Sequence, residues 1–111
     1  MPYVPDRGDL VWLEFSPQAG HEQAGRQPAA VLSPKPYNSK VGLCLACPVT
    51  AQEKGYPFEV AIPPGLSIAG VILADQIKSL NWRARKASFI GSLPAQALDE
   101  LLAKASSLVS P

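Results

Sequence analysis

Twelve prolines, spread from Pro2 to Pro111, constrain this 111-residue chain more than any other feature. Each fixes its own φ and removes a backbone donor, so helix interiors and central strand positions are largely closed to it. Spaced as they are, they cut the chain into short segments and argue against a helical bundle. What lies between them is apolar. Hydrophobic residues make up 47% of the chain against 17% charged residues. That balance excludes a disordered polyelectrolyte. The length suits one domain, residues 1–111, which buries roughly 65% of its unfolded surface without staples.

The segments read mostly as strands. "GDLVWLEF" (8–15) follows an Asp-Arg-Gly turn and is rich in β-branched and aromatic residues. "AAVLS" (29–33) and "GLCLACPV" (42–49) are nearly continuous apolar runs, which suits strands buried on both sides. "FEVAI" (58–62), "GVILA" (70–74) and "KASFIGSL" (86–93) continue the series. Turn chemistry fills the connections, including Ser33-Pro34 through Lys40 and Pro63-Pro64-Gly65. Only the last segment is expected to be helical: Pro94 opens it, and Ala97, Leu98, Leu101, Leu102, Ala105 and Leu108 recur on one side. Five or six short antiparallel strands with a C-terminal α-helix make a mainly β protein, a small barrel or curled sheet.

Formal net charge is +1, so bulk electrostatics announce no nucleic-acid binder. The distribution is uneven: Lys78, Arg83, Arg85 and Lys86 lie between Asp75 and Asp99 with no acid among them. A local basic face or an ordinary solvated surface both fit. Cys44 and Cys47 are half of a zinc motif with one histidine in the chain. On a strand, positions i and i+3 point to opposite faces, so two small core hydrophobes are expected instead. No apolar run reaches about 18 residues and the N-terminus lacks a signal-peptide core, so the cytoplasm is the expected location.

Candidate chemistry gathers in "GHEQAGRQP" (20–28), where glycines flank Glu22. A carboxylate there is either a general base or a solvated loop acid, and His21 a proton shuttle or a polar surface residue. Thr50 either donates its hydroxyl to a phosphate or satisfies a turn. Lys54 and Tyr56 combine a cation with an aromatic face, as single-stranded nucleic acid requires, or form a hairpin turn. In "NWRARK" (81–86), Arg83 and Arg85 share a face if the chain is extended and can contact one phosphodiester. No Gly-rich phosphate loop, Ser-His-Asp pattern or metal-ligand cluster is present, which leaves acid/base chemistry without a cofactor. RNA suits such a set, because its own 2'-OH is the nucleophile.

Together "YVPDRGDLVWLEFSP", "GHEQAGRQPAAVLSP", "YNSKVGLC", "TAQEKGYPFEV" and "GVILADQIKSLNWRAR" resemble the MazF/PemK family of toxin–antitoxin endoribonucleases, over nearly the whole chain and in family order. The resemblance implies an SH3-like barrel of antiparallel strands, a homodimer, and metal-independent cleavage of single-stranded RNA (mRNA) to a 2',3'-cyclic phosphate. It also implies an antitoxin partner whose acidic extended tail covers the RNA groove. Carried over by position, Glu22 is the general base, Thr50 contacts the scissile phosphate, and Lys54, Lys78 and Arg85 bind RNA. The family sets an arginine directly before the loop-ending proline as general acid and transition-state stabiliser. Here that position is the neutral Gln27, with Arg26 one place earlier. Arg26 is the favoured substitute, Arg83 and Arg85 are the alternatives, and a slow enzyme is a third outcome. Two other readings belong to the same fold: a catalytically weak module that binds RNA or titrates antitoxin, and a toxin that poisons DNA gyrase. The latter depends on a terminal Trp-Gly-Ile, where this sequence reads Leu108-Val109-Ser110-Pro111.

Overall fold

The computed structural model describes residues 2–15 and 25–111. Its elements run β1 (Asp9–Phe15), β2 (Gly25–Val31), α1 (Lys35–Val41), β3 (Cys44–Thr50), β4 (Glu59–Ala61), β5 (Val71–Leu73), β6 (Lys78–Leu80), β7 (Ser88–Ser92) and α2 (Ala95–Ser106). Every strand pair is antiparallel, in the order β4-β5-β3-β2-β1-β7. β3 is the centre. β2 pairs along one edge, while β6 takes the first half of the other edge and β5 the second half. The result is a half-barrel of antiparallel strands with a C-terminal helix, the architecture expected.

Three elements depart from expectation. β2 begins at Gly25 and ends at Val31, four residues earlier at its start than the apolar run from Ala29, because pairing with β1 carries it into the stretch expected to be a loop. α1 occupies the stretch expected to be a turn, so the terminal helix is not the sole one. Pro34 and Pro36 sit at its start, where a missing N–H leaves no bond unmade, and Gly42 ends it in the left-handed conformation. β6 was not anticipated either. Lys78-Ser79-Leu80 carries no apolar pattern and is held by pairing with Ala46, Leu45 and Cys44.

Strand alternation sorts the side chains onto two faces. Leu10, Ala30, Cys47, Val60 and Ile72 form one core with Ala97, Leu101 and Ala105 of α2. Val11, Leu13, Ala29, Val31, Cys44 and Ala46 form a second core under Trp82, with Tyr3 and Val4 against it. The two cysteines therefore lie on opposite faces, both fully buried and both free, as the strand reading requires. Burial pushes their thiols up to about 11 for Cys44 and about 12 for Cys47.

Buried Asn38 on α1 ties down the lid of the second core. Its Nδ2 donates to the carbonyls of Pro5 (2.8 Å) and Ser33 (2.9 Å), and its Oδ1 accepts from Ser33 Oγ (2.6 Å). Its own carbonyl accepts from Trp82 Nε1 (2.9 Å). Every polar atom of that side chain is satisfied, as a buried amide requires. The N-terminal segment and the Trp82 turn thereby share one anchor.

Candidate functional site

The face opposite α2 is covered at its Trp82 end and open at the other. Two cavities lie there, separated by the end of β3. The larger, about 530 Å³, is lined by Thr50, Lys54, Tyr56, Glu59, Leu73 and Gln76 among others. The smaller, about 210 Å³, is lined by Leu13, Phe15, Gln27, Pro48, Lys78 and Leu80 among others. Register explains why both are on this face. Thr50 and Pro48 alternate with Val49 and Cys47, which pack into the α2 core. Lys78 sits opposite Ala46, and Gln27 opposite Leu13, both residues of the second core.

Thr50, Lys54 and Tyr56, proposed separately from sequence, thus meet around one cavity. Thr50 Oγ1 accepts from the Gln52 N–H (3.2 Å), which is the turn role. Its own hydroxyl proton stays available to an acceptor. Gly70 brings its backbone close beneath Thr50. At φ +128° it passes so near that an added Cβ would lie 2.3 Å from the Thr50 carbonyl oxygen. Tyr56 is 47% exposed and tilted against Phe58 at 6.0 Å. Its hydroxyl donates to Asp75 Oδ2 (2.7 Å), and that bond raises the phenol pKa. The hairpin-turn and base-platform readings of Tyr56 are therefore compatible, because one edge is anchored and the ring remains accessible.

The basic segment is arranged differently from expectation. Residues 81–86 form a turn instead of extended chain. Asn81 Oδ1 accepts from the Ala84 N–H (2.9 Å), the Asn81 carbonyl accepts from the Arg85 N–H (3.1 Å), and Lys86 has φ +52°. Arg83 and Arg85 consequently part. The Arg83 guanidinium lies over Trp82 at 4.8 Å. That of Arg85 lies over Phe15 at 4.3 Å and donates to the Glu14 carbonyl (3.3 Å). Phe15 lines the smaller cavity with Gln27 and Lys78, so Arg85 reaches that cavity's wall through the Phe15 ring. Arg26 does not. Neighbouring residues of β2 point to opposite faces, and its guanidinium lies over Trp12 at 4.7 Å, a β1 residue that alternates with those of the second core. Glu22 and His21 lie outside the described residues.

A family model described as PemK-like, MazF-like toxin of type II toxin–antitoxin system matches residues 6–109. The endoribonuclease toxin MazF of Escherichia coli K12 is 52% identical over 107 residues, covering 96% of each chain. The chain belongs to the PemK-like, MazF-like toxins. A solved MazE–MazF structure from Deinococcus radiodurans is similar at TM-score 0.91 and 57% identity, over 96% of each chain. The endoribonuclease toxin ChpB of E. coli K12 is 33% identical over 110 residues, 94% of this chain and 93% of that protein.

Within the MazF-like frame, sequence reasoning missed Phe15, Glu59 and Gln76. Phe15 reads as one more strand aromatic, and Glu59 as the polar start of a strand. Their place at the cavities follows from β1 and β4 curling to either side of β3, a long-range arrangement with no local signature. Among the described residues no three His, Cys, Asp or Glu side chains cluster as metal ligands, and no helix is long and apolar enough to cross a membrane.

Proposed function

We propose that this MazF-like toxin is a sequence-specific endoribonuclease that cleaves single-stranded RNA on the open sheet face without a metal. The observation that carries the reading is the convergence of Thr50, Lys54 and Tyr56 on one cavity, beside a second cavity lined by Gln27 and Lys78. Phosphates take the lysines and the Thr50 hydroxyl, and a splayed base stacks on Tyr56. Glu22 accepts the 2'-OH proton. The 2'-oxygen then forms a bond to phosphorus while the bond to the 5'-oxygen breaks. A proton goes to that leaving oxygen, and a 2',3'-cyclic phosphate and a 5'-OH remain.

Charge on the phosphorane needs a cation, and Gln27 supplies none. Arg85 is favoured over Arg26, because it lies over Phe15, which lines the cavity with Gln27, whereas Arg26 stacks on Trp12 on the other side of the sheet. Arg83, held over Trp82, serves the RNA backbone. The protein acts as a homodimer in the cytoplasm, and an antitoxin with an acidic extended tail occupies the same basic face. The MazE–MazF complex of the Deinococcus relative supports an antitoxin partner.

The test is incubation of the purified protein with a long single-stranded RNA in EDTA, beside Glu22→Ala. Discrete fragments ending in cyclic phosphate, absent for the variant, are expected. RNA that is bound but left intact would overturn the nuclease reading in favour of an RNA-binding module. Arg85→Ala should lower kcat by about 100-fold or more, the effect of removing one transition-state donor. Arg26→Ala should change it by less than about threefold. The reverse order would return the role to Arg26. Gln27→Arg should raise kcat.

A further inference from the structure

We infer that Glu59 is a positioning residue for RNA binding, acting through the segment that carries Lys54 and Tyr56; the inference rests on the RNA reading of the open face. Its carboxylate gathers three successive backbone donors. Oε2 accepts from the Lys54 N–H (3.0 Å), and Oε1 accepts from those of Gly55 (3.0 Å) and Tyr56 (3.2 Å). Three consecutive N–H groups converging on one anion form a nest. Gly55, at φ +78°, supplies the left-handed turn that aims them inward.

Glu59 is itself fixed from two sides. Its N–H donates to the Tyr56 carbonyl (3.0 Å), closing the segment into a ring. Its carbonyl accepts from Lys104 Nζ of α2 (2.9 Å), and that ammonium also pairs with Glu100 (2.9 Å). The far end is moored by Tyr56 Oη on Asp75. Lys54 and Tyr56 thus project from a short stretch held by two carboxylates.

What these bonds do follows from where they are. Residues 51–57 are all exposed, so no core depends on them, and hydrogen bonds open to water contribute little to global stability. Their effect is conformational. Without the carboxylate, three N–H groups turn to solvent, and Lys54 and Tyr56 sample many orientations around the cavity. Ordering them again is then charged to RNA binding. The carboxylate is turned onto its own backbone, so its negative charge is spent on amides instead of repelling a phosphate.

The experiment measures KM and kcat for a single-stranded RNA, and RNA affinity by fluorescence anisotropy, for wild type, Glu59→Ala, Glu59→Gln and Lys54→Ala/Tyr56→Ala with and without Glu59→Ala. Glu59→Ala should raise KM and the dissociation constant about tenfold, the scale of one lost phosphate contact, with kcat within about twofold. Glu59→Gln keeps a neutral acceptor and should recover part of the loss, and it carries the test if the alanine variant does not fold. In the Lys54→Ala/Tyr56→Ala background, Glu59→Ala should add less than about twofold, because the residues it positions are gone. Unchanged affinity in folded Glu59→Ala, or a full tenfold loss in that background, would overturn the inference. Failure of the wild type to cleave would count against the nuclease reading alone, since the anisotropy arm still reads Glu59.

Discussion

On β3, Cys47 and Val49 turn toward α2 while Pro48 and Thr50, each one residue on, turn toward the cavities. The same strands therefore present two faces with opposite fates. Under α2 the side chains interdigitate and water is excluded. On the other face Asn38 and Trp82 seal one end, and the remainder stays open between Phe15 and Tyr56. The larger core lies on the first face and the two cavities on the second. Alternation makes this division economical, since a residue facing the cavity and its neighbour in the core need only one strand to hold both.

That division can be broken from either side. Leu101, fully buried in the α2 core, should give the largest effect on stability. Leu101→Ala is expected to lower it by about 3 kcal/mol in urea unfolding, while cleavage per folded molecule stays within about twofold. A comparable loss of kcat at full occupancy of the fold would show that the faces are coupled. Gly70→Ala should couple them deliberately. An added Cβ drives into the Thr50 carbonyl, so about 2 kcal/mol of stability and a measurable share of kcat should fall together.

The two cysteines sharpen the comparison, one on each face. Both are closed to solvent, so iodoacetamide at pH 8 should modify neither in the native protein and both in urea, read by mass spectrometry. Modification of Cys44 alone would show that the open face extends beneath Trp82. Alkaline stability follows with a definite sign. An ordinary thiol titrates near 9.0, whereas these titrate at about 11 and about 12 when folded, so the unfolded chain loses its protons first. Stability should be unaffected below about pH 9 and decline from there toward pH 12.

The smallest expected effect on folding belongs to Lys78, on the rim of the smaller cavity. Lys78→Ala should leave unfolding within about 0.5 kcal/mol of wild type. It should reduce the slope of log affinity for RNA against log salt by about 0.7, the share of one phosphate contact on a single strand. An unchanged slope would remove Lys78 from the RNA surface.

Much of the fold was legible because its signals are local. Apolar runs announced β1, β2, β3, β4, β5 and β7, and the repeat of Ala97, Leu101 and Ala105 announced α2. The opposed placement of Cys44 and Cys47 needed nothing beyond strand geometry. β6 left no trace, since three residues hold a strand only when a neighbour offers its edge. α1 was hidden by prolines that read as a turn until a helix start accommodates them. Arg83 and Arg85 share a face only on an extended chain, and Asn81 closes a turn there instead. Lys54, Thr50 and Tyr56 could be named as candidates, but not their shared cavity.

The sequence by itself determined that this chain is mainly β with a C-terminal helix, and that a neutral glutamine stands at position 27 beside Arg26. That Arg26 and Gln27 part company came from the fold, because pairing with β1 extends β2 back to Gly25, into the stretch expected to be a loop. Only tertiary structure decided which of those two directions is the open face. That depends on where α2 docks and on Asn38 holding Trp82 across the other core, contacts between residues tens of positions apart. Alternation is a property of each peptide unit, whereas exposure is a property of what the rest of the chain leaves uncovered.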